Sequence, residues 1–208
     1  MKKIIILIIS SIVLFGCNPQ PSGNGETPDG EEEDVCSCPH ATICLQPYED
    51  FTKKEALKLV PKLEEEFGTW LYGGWNFEVL DPIPLPKESF VSQRNRYRVT
   101  PILNLQRKNL KGDEIIIGLT HKDICADLHD TKDYGIIGMS RLHKQVCVVS
   151  DKRLKNKSDY WKPILHEFMH TFYGSPHCPE DDPNCFMKDA KGHANFGIQN
   201  KLCDSCRQ

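Results

Sequence analysis

The sequence has no surplus of positive charge. Its 26 Lys+Arg stand against 29 Asp+Glu, for a formal charge of −3. A nucleic-acid binder normally carries a basic balance, so that class is excluded. Nor is there an apolar run long enough to cross a bilayer. The longest, Ile4 to Phe15, has twelve residues interrupted by Ser10 and Ser11, whereas a spanning helix needs about 20. The chain has no internal repeat, and no Ser/His/Asp or Cys/His arrangement that would point to a nucleophilic enzyme. Hydrophobic residues are not scarce: they make up 39%, with 26% charged, which excludes a wholly disordered or collagen-like chain. At 208 residues the chain suits one domain with a small annex.

What is plentiful is cysteine: ten residues, too many to ignore and too few for a pure disulfide scaffold of this length. The first of them lies in a targeting segment. Lys2 and Lys3 precede the twelve-residue apolar run, which has the length of a signal-peptide core. The run ends Leu14-Phe15-Gly16-Cys17, which resembles a bacterial lipobox, with Cys17 as the lipidated mature N-terminus. An ordinary secretory signal cleaved near Gly16 is the alternative. Asn18 to Asp34 follows with Pro19, Pro21, Gly23, Gly25, Pro28 and Gly30 and almost no large apolar residue, so it cannot offset its ordering entropy. As a flexible coil its ends would lie about 20–25 Å apart. It also holds six of the acids, and with Lys2 and Lys3 in the signal the body from Val35 onward is left at +1. The reading is a lipoprotein signal peptide at 1–16, a lipid-anchored acidic tether at 17–35 and a domain at 36–208. The protein is expected to be an exported bacterial lipoprotein, at the outer membrane or cell surface in a Gram-negative cell.

Thr52-Lys53-Lys54-Glu55 is a capping box opening a helix whose stripe is Ala56, Leu57, Leu59, Val60 and Leu63. Pro61 is expected to kink or split that helix, and Gly68 to stop it. Trp75 to Leu80 alternates as a strand, and three prolines keep Asp81 to Pro86 extended. Thr100-Pro101 reads as an N-cap and first helical residue, for a helix through about Lys108. Ile115 to Leu119 and Gln145 to Ser150 are strong strands, and Tyr134 to Ser140 is a weaker edge strand. A helix is expected over Asp159 to Phe172, with Pro163 in its first turn, and irregular chain after Gly174. Alternating helices and strands give an α/β or α+β class.

The chemistry is concentrated near the end of the chain. His166-Glu167-Phe168-Met169-His170 is HExxH, and residues four apart share one helix face, so both imidazoles can hold one ion while Glu167 reaches a water beside it. Gly174-Ser175-Pro176-His177 turns the chain and brings back a third His. Three His leave a tetrahedral zinc one open position, as a catalytic site requires. Such an ion lowers the pKa of its water to about 7. Glu167 can then act as general base. Cys178, Cys185, Cys203 and Cys206 form two pairs, one of them CxxC, that suit a second, structural zinc. Two disulfides are the alternative in an exported protein.

HExxH, GxxH, an adjoining Cys, then CxM and a terminal CxxC together resemble the archaemetzincins, a branch of the metzincin zinc peptidases. Softer matches precede them in order: Arg96 to Leu105, Ile115 to Thr120, Tyr134 to Gly138, and Val148 to Leu154. The resemblance implies a metzincin-like zincin fold, α/β, with a twisted mixed sheet, backing helices and an active-site helix. The upper part would span 36–173, and a small irregular Cys-rich lower part 174–208. It implies that Met187 is the Met-turn residue flooring the metal site, that the four late cysteines are structural zinc ligands, and that a substrate peptide pairs along Tyr134 to Ser140. It implies a peptide or protein substrate and a monomer, with endopeptidase and aminopeptidase both open. Two departures concern the cysteines: six residues separate Cys178 from Cys185 where the family usually has four, and the 15 residues between Met187 and Cys203 are slightly fewer than usual. A third concerns the metal site. Three residues, Thr171 to Tyr173, separate the second His from the Gly where the metzincin pattern has two, so the helix must lengthen or bulge. This departure motivates the rival reading, a catalytically silent zinc-stabilised binding lipoprotein on the surface.

The other residues carry less. His40, His121, His129, His143 and His193 lack ligand spacing, Trp70, Trp75 and Trp161 read as core, and Asp181-Asp182 as a turn. Cys36, Cys38, Cys44, Cys125 and Cys147 are an odd remainder, which leaves at least one thiol without a disulfide partner among them.

Overall fold

The computed structural model describes residues 40–128, 130–190 and 196–207. The signal peptide and tether, Cys17, Cys36, Cys38, His129, His193 and the side chain of His40 lie outside the described residues. No helix among the described residues is long and apolar enough to cross a membrane.

The buried apolar runs become the centre of a five-stranded sheet. Its strands are β1 (His40–Pro47), β2 (Gly74–Val79), β5 (Ile115–Thr120), β8 (Gly138–Arg141) and β9 (Val146–Ser150), in the order β2-β1-β5-β9-β8. The first four in that order run parallel, and β8 returns antiparallel to β9 as the edge. Every residue of β5 and β9 is buried, as parallel strands covered on both faces demand. The period of two divides them between the faces. Ile115, Ile117, Leu119, Cys147 and Val149 meet helix α1 (Lys53–Trp70) and helix α3 (Trp161–Phe168). Ile116, Val146 and Val148 meet helix α2 (Val99–Asn109) on the other face. Each such fully buried aliphatic contributes about 1.5–3 kcal/mol. A second sheet, ordered β3-β4-β6-β7, is built from Phe90–Val91, Arg96–Arg98, Ile124–Leu128 and Thr131–Ile136.

The capping box at Thr52 forms in full, with Thr52 Oγ1 accepting from the Glu55 N–H and Glu55 accepting from the Thr52 N–H. The expected split at Pro61 and stop at Gly68 do not occur: α1 runs unbroken through both to Trp70. Pro61 lies on the exposed face, and the carbonyl it leaves without a donor belongs to Leu57, itself 53% exposed, so water can satisfy it. Beyond Gly68 the last turn is held by its own side chains: Thr69 Oγ1 donates to Glu65 O at 2.8 Å and Trp70 Nε1 to Glu66 at 2.9 Å.

Three other expectations shift. Helix α2 begins at Val99 with Arg98 at the N-cap, not at Thr100, because Arg98 is still paired in β4 and Val99 is fully buried. Pro101 still falls in the first turn, where its missing N–H costs nothing. The single strand expected over Tyr134 to Ser140 is two, β7 and β8, in different sheets. Ile137 is the crossing point, its carbonyl accepting from Ser150 N at 2.7 Å. The helix expected to reach Phe172 remains α-helical only to Phe168 and continues as a π-helical turn, Met169–Tyr173.

A Cβ at Gly68 would meet nothing within 4 Å, and its φ is not positive. Gly68→Ala should therefore stabilise the protein by about 0.5–1 kcal/mol, read as a higher urea midpoint at unchanged m-value.

Candidate metal centre

Helix α3 forms because Ile164, Leu165 and Phe168 face the core, and that anchoring fixes which way its histidines point. His166 and His170 lie one turn apart with their Nε2 atoms 3.0 Å from each other. The opposite nitrogens are held by carbonyls: His166 Nδ1 by Phe186 O at 2.7 Å, and His170 Nδ1 by Ser175 O at 2.5 Å. A carbonyl only accepts, so both Nδ1 atoms carry the proton and both Nε2 lone pairs are free. Burial and the neighbouring His170 push the His166 pKa down to about 3, and burial lowers that of His170, so both rings are neutral at physiological pH. His177 completes the group, with the ligand atoms of all three within 4.8 Å of one another. Two neutral imidazoles with oriented Nδ1–H groups and a third histidine converging on them are the donor set zinc takes, at about 2.0–2.1 Å each.

The extra residue between His170 and the Gly is absorbed by the π-helical turn. Gly174 donates its N–H to Met169 O five residues back, at φ +66°. Ser175 N reaches the same carbonyl at 3.2 Å. The turn is held by rings. Phe172 stacks on Phe168 at 5.3 Å between centroids and meets Trp75 edge-on at 5.2 Å, and Tyr173 meets Phe168 and Trp75 at 6.1 and 6.5 Å. The chain therefore leaves the helix one residue later than the metzincin pattern and still delivers His177.

Glu167 lies on the sheet side of α3 and is 7% exposed. Burial raises its pKa to about 8, against a hydrogen bond from Ser140 that lowers it. The backbone of the edge strand presses on it: a Cβ on Gly138 would come within 2.7 Å of Glu167 Cγ and Oε1. Met187 is fully buried, and its carbonyl accepts from Cys178 N at 2.7 Å, which ties the residue after the third His to the Met187 turn.

Cys178, Cys185, Cys203 and Cys206 converge with their sulfurs within 4.8 Å, all buried. Cys178 and Cys203 sulfurs are 3.6 Å apart. A disulfide needs about 2.05 Å, whereas tetrahedral zinc with Zn–S of 2.3 Å sets sulfurs roughly 3.8 Å apart. Burial raises the Cys185 pKa to about 11, and burial with the neighbouring sulfurs raises that of Cys206 further, while hydrogen bonds from the Asp182 backbone and Cys203 outweigh burial and lower that of Cys178. Four thiolates could share this space only around a cation. The seven described cysteines form no disulfide. Cys44, Cys125 and Cys147 are buried thiols apart from both clusters.

Of the residues set aside in the sequence, His121 is structural, bonded to Asp151 at 3.0 Å and stacked on Phe51. Asp182 accepts from Asn184 N, as a turn residue does. His143 differs: its ring lies over Gly174. Sequence reasoning also missed Ser140, Gly138 and the carbonyls of Phe186 and Ser175. Backbone acceptors leave no mark in a sequence, but the glycine that opens β8 did offer a signal of close approach.

A mixed sheet with a free antiparallel edge above a histidine-bearing helix, followed by a turn returning a third histidine, is a zincin-type architecture. Among solved structures it is similar to archaemetzincin from Methanopyrus kandleri, with a TM-score of 0.65 and 24% identity over 80% of this chain and 91% of that one. It is also similar to archaemetzincin from Archaeoglobus fulgidus complexed with malonate, with a TM-score of 0.60 and 22% identity over 79% and 97%. A zinc-dependent peptidase from Methanocorpusculum labreanum gives a TM-score of 0.58 and 20% identity over 79% and 97%. No protein-family model matches the chain, and no curated protein matches it. The fold is archaemetzincin-like.

Gly138→Ala should push Glu167 from its seat and destabilise the protein by about 1–3 kcal/mol, the usual cost of overpacking. Thermal melts of the variant would show it, and an unchanged midpoint would contradict the packing described.

Proposed function

We propose that the chain is a zinc-dependent peptidase, held at a membrane surface through a lipid on Cys17 and the tether at 17–35. The observation that carries this reading is the convergence of His166, His170 and His177 beside Glu167, beneath the open edge of β8. The similar fold from Methanocorpusculum labreanum is a zinc-dependent peptidase, which supports it.

His166, His170 and His177 would hold the catalytic zinc, which when bound supplies an acidified water and a Lewis acid for the scissile carbonyl. Glu167 takes the proton of the attacking water and passes it to the leaving amine. Burial raises its proton affinity, and the charge of a cation held by the neighbouring histidines would return it to the carboxylate that accepts a proton. Ser140 orients the carboxylate from β8. A substrate peptide adds as an extended strand along β8, whose outer backbone groups face no other strand in this sheet. Met187 floors the site, and the four cysteines hold a second, structural zinc. The protein acts as an exported monomer. The rival reading, a silent surface-binding lipoprotein, rested on the extra residue before Gly174, and the π-helical turn keeps the histidines together despite it.

Glu167→Ala should lower hydrolysis of a proteome-derived peptide library by about 10²–10⁴-fold while bound zinc, measured by elemental analysis, is retained. Full activity in that variant would overturn the proposal. Mass spectrometry of the wild-type products separates the modes: internal cuts mark an endopeptidase, stepwise loss from the N-terminus an aminopeptidase.

A further inference from the structure

The hairpin joining β8 to β9 touches the π-helical turn at two points, neither of which belongs to the metal ligands. Its last strand pair is Arg141 with Val146. Thr171, 1% exposed, places Oγ1 at 3.0 Å from Arg141 O and 3.2 Å from Val146 O, the two carbonyls that bracket the hairpin tip. The hydroxyl has one proton, so the two carbonyls share it. At the tip itself His143 adopts φ +52° and lays its ring over Gly174. A Cβ at Gly174 would lie 2.1 Å from His143 Cε1 and Nε2, so the ring fills the space the glycine leaves open.

Thr171 is the middle residue of the π-helical turn and Gly174 comes directly after its end. Between these grips and the third histidine lies Ser175, whose carbonyl receives the His170 Nδ1–H. A turn with one residue more than the usual pattern has an alternative: it can tighten to regular α-helix, which moves Gly174, Ser175 and His177 together. Nothing in the His166–His170 spacing opposes that movement. The rings of Phe172 and Tyr173 oppose it from one side, and the hairpin opposes it from the other, because Thr171 ties the middle of the turn, and His143 the residue after it, to the β8–β9 hairpin.

We propose that the β8–β9 hairpin tip braces the three-histidine site, with Thr171 and His143 as positioning residues. This rests on the reading of His166, His170 and His177 as zinc ligands. It adds that the strand offered to the substrate and the loop carrying the third ligand are one mechanical unit. Removing either grip lets the turn relax, rotates His170 away from Ser175 O and draws His177 off. Partners of this outer kind typically change metal affinity by about 10–100-fold.

The test uses the full chain carrying Thr171→Val, Thr171→Ser or His143→Gly, the last because glycine keeps the positive φ while removing the ring. Each is loaded with cobalt(II) and challenged with a chelator. Thiolate charge-transfer bands report the four-cysteine site, and d–d bands without them report the histidine site. Thr171→Val and His143→Gly should release cobalt from the histidine site at least ~10-fold more readily. The four-cysteine site should be unchanged, and Thr171→Ser should stay within about threefold of wild type. Peptide hydrolysis should lose kcat with little change in KM. Wild-type retention in Thr171→Val overturns the brace. So does weakening of both metal sites together, which would mark a general folding role. A wild-type chain that binds cobalt at the histidines but cleaves no peptide overturns the peptidase reading and leaves the brace standing on the affinity differences.

Discussion

The hydrogen bond from His166 Nδ1 to the carbonyl of Phe186 joins two parts of the molecule that otherwise have different reasons to be where they are. Helix α3 is placed by the sheet and α1 through its apolar face. The segment from Cys185 to Met187 is placed by sulfur chemistry and by the bond from Cys178 N to Met187 O. That single donation orients an imidazole and at the same time sets the depth at which the Cys-rich chain sits under the helix. Phe186, whose carbonyl accepts it, is 1% exposed and packs its ring against Trp70 and Trp161, so the acceptor is itself fixed. Lys162 adds a second tie from the same helix, its ammonium bonded to Phe196 O at 2.6 Å and to Asp159 at 3.0 Å.

Two clusters in this chain would be unfavourable without a cation. Two imidazoles with their Nδ1 protons committed turn lone pairs toward each other beside a third histidine, and burial raises the proton affinity of Cys185 and Cys206 next to two further sulfurs. Both arrangements are held by groups outside the clusters, which is how a site is preorganised. The two lie one residue apart in sequence, His177 beside Cys178, so the loop that ends at the first is pinned by the second.

Much of the site was legible because metal ligation constrains residue type and spacing together. HExxH and CxxC announce themselves, and Thr52 with Glu55 did the same for α1. What was not legible depended on the surroundings. Pro61 ends a helix only if the carbonyl it orphans is buried, and exposure of that turn is a tertiary fact. Val99 starts α2 early because Arg98 is claimed by a neighbouring strand. The division of β7 from β8 needs the position of Ser150, which no local pattern contains. The additional residue after His170 allowed either a longer helix or a bulge, and the choice fell to Trp75, distant in sequence, which gives Phe172 and Tyr173 a surface to pack on.

That turn separates two meanings of a motif. Written as letters, a motif is a count of residues along a string, and one insertion breaks it. Written as positions in space, it is a set of nitrogens that must meet, and any backbone path that delivers them will serve. Here the path is lengthened by a residue, the surplus is taken up by five residues of wider helix, and the nitrogens still meet within 4.8 Å. The aromatic pair that fills the widened turn does so by packing, not by ligation. The spacing along the string can therefore differ by a residue here while the three nitrogens keep their meeting place.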